Sequence, residues 1–73
     1  MATDVPIRGD TIRLGQLLKL AGLVDHGSEA RAFLADRQVL VNGEPEQRRG
    51  RQLHPGDVVT AGAPELCVVA RPS

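Results

Sequence analysis

Arg48, Arg49 and Arg51, three arginines within four positions, are the densest group of chemically useful side chains in this 73-residue chain. In the stretch that begins at Arg13, four further cations precede them: Arg13, Lys19, Arg31 and Arg37. A guanidinium presents a planar fork of donors that matches phosphate oxygens, so the set points to contact with a phosphate-bearing polymer. The same stretch carries five carboxylates (Asp25, Glu29, Asp36, Glu44 and Glu46), which leaves a small local excess of positive charge. Across the whole chain nine basic and nine acidic side chains cancel. That balance limits any non-specific electrostatic attraction to a polyanion. Taken alone, such a charge run is usually just a solvated loop.

Other chemistries lack their parts. Nucleophilic catalysis needs a hydroxyl or thiol beside a base and an orienting partner. The only histidines, His26 and His54, both fall in expected turns. Together with the one distant cysteine, Cys67, they have no metal-ligand spacing. Gly22, Gly27 and Gly43 do not form a phosphate-loop pattern. Glu44 and Glu46, two apart on one strand, read as alternating surface charge. The sequence therefore predicts no enzyme activity, no cofactor, no metal and no small-molecule substrate. Phe33 is the sole aromatic residue and reads as core, which excludes recognition by base stacking. Contact with the phosphates, sugars and grooves of a folded nucleic acid is what remains.

The lone Cys67, in the apolar run Leu66-Cys67-Val68-Val69, reads as a small buried hydrophobe in a reducing, cytoplasmic compartment. The N-terminus lacks the basic and apolar regions of a signal peptide. The richest apolar stretch, Leu17 to Val24, is short and contains Lys19, so no membrane span is expected.

The elements that must position these side chains follow from periodicity. Leu14, Leu17, Leu18 and Ala21 recur at helical spacing, with Gly22 placed to end that helix in a left-handed conformation. Gly15, Gln16 and Lys19 fall on its outer face. A second helix begins around Asp25 to Ser28 and runs to about Asp36, burying Ala30, Phe33 and Leu34. Its outer face of Ser28, Ala32 and Ala35, with Arg31 on the flank, is small enough for close approach of a partner. The alanines serve equally as helix formers. Val39 to Val41 forms a strand, Asn42-Gly43 a hairpin turn, and Glu44 to Gln47 a return arm that Pro45 confines to an edge. Arg48 to Arg51 is a basic, flexible connection. His54-Pro55-Gly56-Asp57 turns into a strand at Val58 to Thr60, Ala61 to Pro64 turns again, and Glu65 to Ala70 makes a last strand. The expected fold is α+β: two short N-terminal helices packed on a small, mostly antiparallel sheet. Residues 1–11 form a loose tail or short strand near Val5 to Ile7, residues 12–70 the domain, and residues 71–73 a tail.

In order and spacing, Arg13-Leu14, Leu17-Leu18, Gly22-Leu23, Ala30-Arg31, Val39-x-Val41-Asn42-Gly43 and Pro55-Gly56-Asp57-Val58-Val59 resemble the S4 RNA-binding domain over about two-thirds of the chain. The chain is most similar to the small stand-alone S4 proteins of bacteria. The resemblance implies an S4-type fold and an RNA surface made by the helix pair and the following hairpin. It assigns contacts with structured RNA, ribosomal or transfer RNA, with the ribosome as a further partner, to Arg13, Ser28, Arg31 and the segment around Arg37, Gln38 and Asn42. Charge density adds Lys19, Arg48, Arg49 and Arg51. Three positions depart from the family pattern. Gly15 replaces the common Asp of Arg-Leu-Asp, His26-Gly27 replaces a Ser-Arg pair, and Arg37 stands where a glycine usually closes the second helix. Two alternatives remain open at this level. One is an adaptor that binds ribosomal or RNA-processing proteins, which the neutral charge favours. The other is a β-grasp carrier, which shares the Val-Asn-Gly hairpin but lacks the helix pair.

Overall fold

A computed structural model describes residues 3–61 and 65–70. The chain opens with β1 (Thr3–Ile7) and β2 (Ile12–Arg13), then α1 (Leu14–Leu20) and α2 (Gly27–Asp36). It continues through β3 (Leu40–Val41), β4 (Glu44–Pro45), β5 (Gln52–Leu53), β6 (Val58–Thr60) and β7 (Leu66–Ala70). Five strands form one sheet in the order β1-β7-β6-β3-β4, and β2 pairs with β5 in a separate ribbon. All pairings are antiparallel except β1 with β7, which run parallel from Thr3↔Leu66 to Ile7↔Ala70. The α+β class stands, but the helices are not N-terminal, because two strands precede them.

Of the two expectations for residues 1–11, a loose tail or a short strand near Val5 to Ile7, residues 3–7 take the strand. Val5 and Ile7 alternate with polar or exposed neighbours, and both are buried in the core. Apolar alternation over so few residues is a weak signal until a partner strand exists, and here β7 supplies it. The expected turn from Ala61 to Pro64 lies outside the described residues from position 62 onward, and so does the expected tail at 71–73.

Leu14, Leu17 and Leu18 of α1 are fully buried against Ala30 and Leu34 of α2 and against Leu53, Val59 and Val68 of the strands. Each such side chain contributes about 1.5–3 kcal/mol by leaving water. Phe33 is only partly buried, packed against the core, and the Arg37 guanidinium lies 5.3 Å from its ring centroid. Cys67 is half-buried rather than buried.

The helix ends follow their residue types. Gly22, at φ 80°, closes α1: the Leu23 N–H donates to Leu18 O (2.9 Å) and the Gly22 N–H to Lys19 O (3.0 Å). This paired pattern requires a left-handed residue at that position. No glycine closes α2. Arg37 leaves the helix in an extended conformation (φ −125°, ψ 142°), its N–H still donating to Phe33 O, so the missing glycine costs no left-handed strain. At the start of α2, His26 precedes the helix without a side-chain cap, and neither Asp25 nor Ser28 provides one. The Asp25 N–H reaches Glu29 Oε2 at 3.5 Å, a long contact.

Candidate nucleic-acid interface

The arginine loop is a held structure, not the flexible connection its composition suggests. At the start of α1 the Leu14 and Gly15 N–H groups have no partner within the helix, and no side chain caps them. Loop carbonyls take that role: Leu14 N–H donates to Arg51 O (2.8 Å) and Gly15 N–H to Arg49 O (2.9 Å). Antiparallel pairing of Ile12 with Leu53 and of Arg13 with Gln52 ties the same strands together just before and after.

Gly15 lets this happen. Helical periodicity puts it on the outer face, yet it is buried. A Cβ there would stand 3.4 Å from Ala30 Cβ, Arg49 Cβ and Arg49 O. A larger side chain would push the loop or α2 away. The departure from Arg-Leu-Asp is thus the point at which loop and both helices converge.

Arg13, Gly15, Gln16, Gly27, Arg49 and Gly50 line one shallow depression. Arg13 comes from the end of β2, Arg49 and Gly50 from the loop, and Gly27 from the first turn of α2. Ser28 is the next residue of α2, and Arg31 lies one turn beyond Gly27 on the same side of the helix. Both are exposed. Lys19 lies further along α1, exposed, where it lines a neighbouring depression with Ile12, Gln16 and Leu20. Among the described residues, Arg13, Lys19, Arg31 and Arg49 form no ion pair. The fold therefore gathers Arg13 and Arg49 directly, with Ser28, Arg31 and Lys19 around them.

The other expected contacts are placed differently. Arg48 and Arg51 both pair with Glu46, Arg48 while remaining exposed. This carboxylate is not a surface charge, because its side chain is only 8% exposed. It accepts four hydrogen bonds: Oε2 from the Arg48 N–H and Nε, and Oε1 from Arg48 Nη2 (each 3.1 Å) and from Arg51 Nη1 (2.8 Å). The Arg48 and Arg51 hydrogen bonds hold its pKa down at about 2, against the opposing pull of burial. Register explains the error. Counting back from the Asn42-Gly43 turn, Val41 pairs with Glu44 and Leu40 with Pro45, so Glu46 falls opposite the buried Val39. The Glu46 N–H donates to Val39 O at 2.9 Å. Opposed residues share a face, so position 46 points inward. That count was available from sequence.

Arg37 and Gln38 lie in another depression, shared with Asp36, Val39, Glu46 and Gln47. Asn42 is occupied by the fold itself. Its backbone adopts φ 53° and Gly43 φ 85°, the left-handed pair of a tight hairpin turn. Its Nδ2 donates to Asp57 Oδ1 (3.0 Å), and its Oδ1 accepts from the Val58 N–H (2.9 Å). Asp57 also accepts from the His54 N–H at 2.7 Å. Burial raises the Asp57 pKa, but the His54 and Asn42 hydrogen bonds outweigh it and hold the carboxyl below its ordinary value.

A match to the S4 domain family spans residues 5–69. This chain belongs to the S4 domain family. The match takes in β1 and leaves the β-grasp carrier alternative without support. The chain is also 51% identical over 59 residues to a protein of Bacillus subtilis (strain 168) named probable ribosome maturation protein RlbA, covering 81% of this chain and 83% of the relative. Among the described residues of this S4 chain, no His, Cys, Asp and Glu group could hold a metal ion, and no helix is long and apolar enough to cross a membrane.

Proposed function

We propose that this S4 protein binds structured RNA without catalysis, on ribosomal RNA or a ribosome precursor, and that the Arg13–Arg49 depression is the centre of contact. One observation carries the reading. The Gly15 N–H to Arg49 O hydrogen bond docks the arginine loop on α1, so two arginines without carboxylate partners border one concave surface. Membership of the S4 domain family and the ribosome-maturation name of the Bacillus subtilis relative support it. The neutral total charge is no obstacle, because among the described residues Arg13, Arg49, Arg31 and Lys19 form no ion pair and are open to the polymer. Arg13, Arg49, Arg31 and Lys19 would each engage phosphate, with Ser28 as an uncharged donor.

The test is a titration with ribosomal RNA fragments, transfer RNA and unstructured RNA at two salt concentrations. Each phosphate contact adds roughly 0.7–0.9 to the slope of log affinity against log salt. Replacing Arg13 and Arg49 together by alanine is expected to flatten that slope by about 1.4–1.8 while the domain stays folded. Salt-independent binding, or a slope the double variant leaves unchanged, refutes this surface. Transfer RNA preferred over ribosomal RNA would relocate the proposed target.

An adaptor role has one observation behind it. Leu20 and Leu23 at the end of α1 stand 57% and 41% exposed. Replacing both by serine separates the readings, since RNA affinity should not change under the first and binding to ribosomal proteins should fall under the second.

A further inference from the structure

The loop sequence offers three arginines, but the fold leaves only one of them facing outward without a carboxylate. We infer that Glu46 is a positioning residue for RNA recognition: it engages Arg48 and Arg51 and thereby sets the loop so that, of the three loop arginines, Arg49 alone is presented to the depression without a carboxylate partner. This inference rests on the RNA-binding reading above.

Geometry carries it. Glu46 is tied to the sheet through its N–H bond to Val39 O, and its side chain is largely buried, so the carboxylate is held close to the sheet. The carboxylate holds the backbone as well as the guanidinium of Arg48, and it holds the guanidinium of Arg51. Residues 48 and 51 are also joined to each other, the Arg51 N–H donating to Arg48 O at 3.2 Å. Arg49 and Gly50 are the two residues this closed turn projects. The carbonyls of Arg49 and Arg51 then meet the free N–H groups of Gly15 and Leu14. One carboxylate thus fixes the ends of the turn, and the turn caps α1 and delivers Arg49 to the depression.

The chemistry of Arg48 is altered by the same contacts. Its Nε and Nη2 edge, the edge that would grip a phosphate with two hydrogen bonds, is already taken by the two carboxylate oxygens. Arg48 is nonetheless 76% exposed, so it looks available from composition and from accessibility alike. The pairing, not the exposure, removes it from the RNA surface.

Two measurements test this. The first compares salt slopes for ribosomal RNA among the wild type, R48A, R49A and E46Q. R49A should lose roughly 0.7–0.9 of slope, and R48A less than half as much. E46Q should steepen the slope, because a neutral amide releases a guanidinium, while preference for structured over unstructured RNA falls. A purely structural Glu46 would lower affinity without steepening the slope. Equal losses in R48A and R49A overturn the inference, as does an unchanged slope in E46Q. The second measurement needs no RNA: amide hydrogen exchange at Leu14 and Gly15 should accelerate at least tenfold in E46Q, while exchange in β7 stays protected. Unchanged exchange at those two amides overturns the inference even if RNA binding fails. A wild type that binds no RNA refutes the RNA reading and leaves the exchange result to decide whether Glu46 sets the loop. Should E46Q fail to fold, the R48A and R49A comparison in the native background still decides.

Discussion

Asn42 offers a sharp separation between a residue that folds the chain and one that touches a ligand. Family resemblance gives it an RNA contact, whereas the structure gives it two internal bonds and a left-handed backbone. Asn42→Ala deletes both side-chain hydrogen bonds, each contributing about 1 kcal/mol net. It also places a residue with a Cβ and no compensating polar group at φ 53°, which costs about 1 kcal/mol more. The expected loss is about 3 kcal/mol, a large part of the total for so small a domain. At about 4–8 °C per kcal/mol, the thermal midpoint should fall by roughly 10–25 °C. Asn42→Gly loses the same bonds but tolerates the backbone, so it should be about 1 kcal/mol less destabilised than the alanine variant. Urea unfolding followed by circular dichroism gives both numbers, and RNA titration well below the midpoint gives the contact term. Affinity per folded molecule should be unchanged. If Asn42→Ala unfolds within about 0.5 kcal/mol of wild type, or if affinity drops at constant stability, the assignment of Asn42 to the fold is wrong.

Two further outcomes follow from other parts of the site. Gly15→Val should destabilise by about 1–3 kcal/mol through overpacking against Ala30 and Arg49, and should weaken RNA binding by displacing the loop; urea unfolding and the salt titration read the two effects, and a neutral result on both would show that the close approach is not needed. Acid should weaken the domain through Glu46. Its folded pKa of about 2 lies below the ordinary value of 4.5, so the stabilisation is complete above about pH 4.5 and fades as pH falls toward 2. Allowing for the solvent around Arg48, the loss is about 1–2 kcal/mol, and E46Q should not show its share of it when unfolding is compared at pH 5.5 and pH 2.5.

How much of this was legible differs by element. The helix pair, the Asn-Gly hairpin and the strand at Val58 could be read because each is specified locally, by apolar spacing or by turn chemistry. Gly22 and Asn42-Gly43 were legible as turn formers for the same reason, and both adopt positive φ. Strand β1 was harder, since its partner β7 lies at the far end of the chain and nothing near Val5 announces a parallel neighbour. The role of Gly15 was hidden because a helical wheel knows only its own helix, and the residue is buried by a loop some 35 positions away.

Composition and spacing by themselves determined that this is an α+β domain carrying a set of arginines. Tertiary structure alone decided which of those arginines remain free. Charges add up along a chain without regard to direction, but ion pairs form only where the backbone brings a carboxylate within reach. Glu46, turned inward by hairpin register, takes Arg48 and Arg51, while Arg49 and Arg13 are left to line one depression at the start of the first helix.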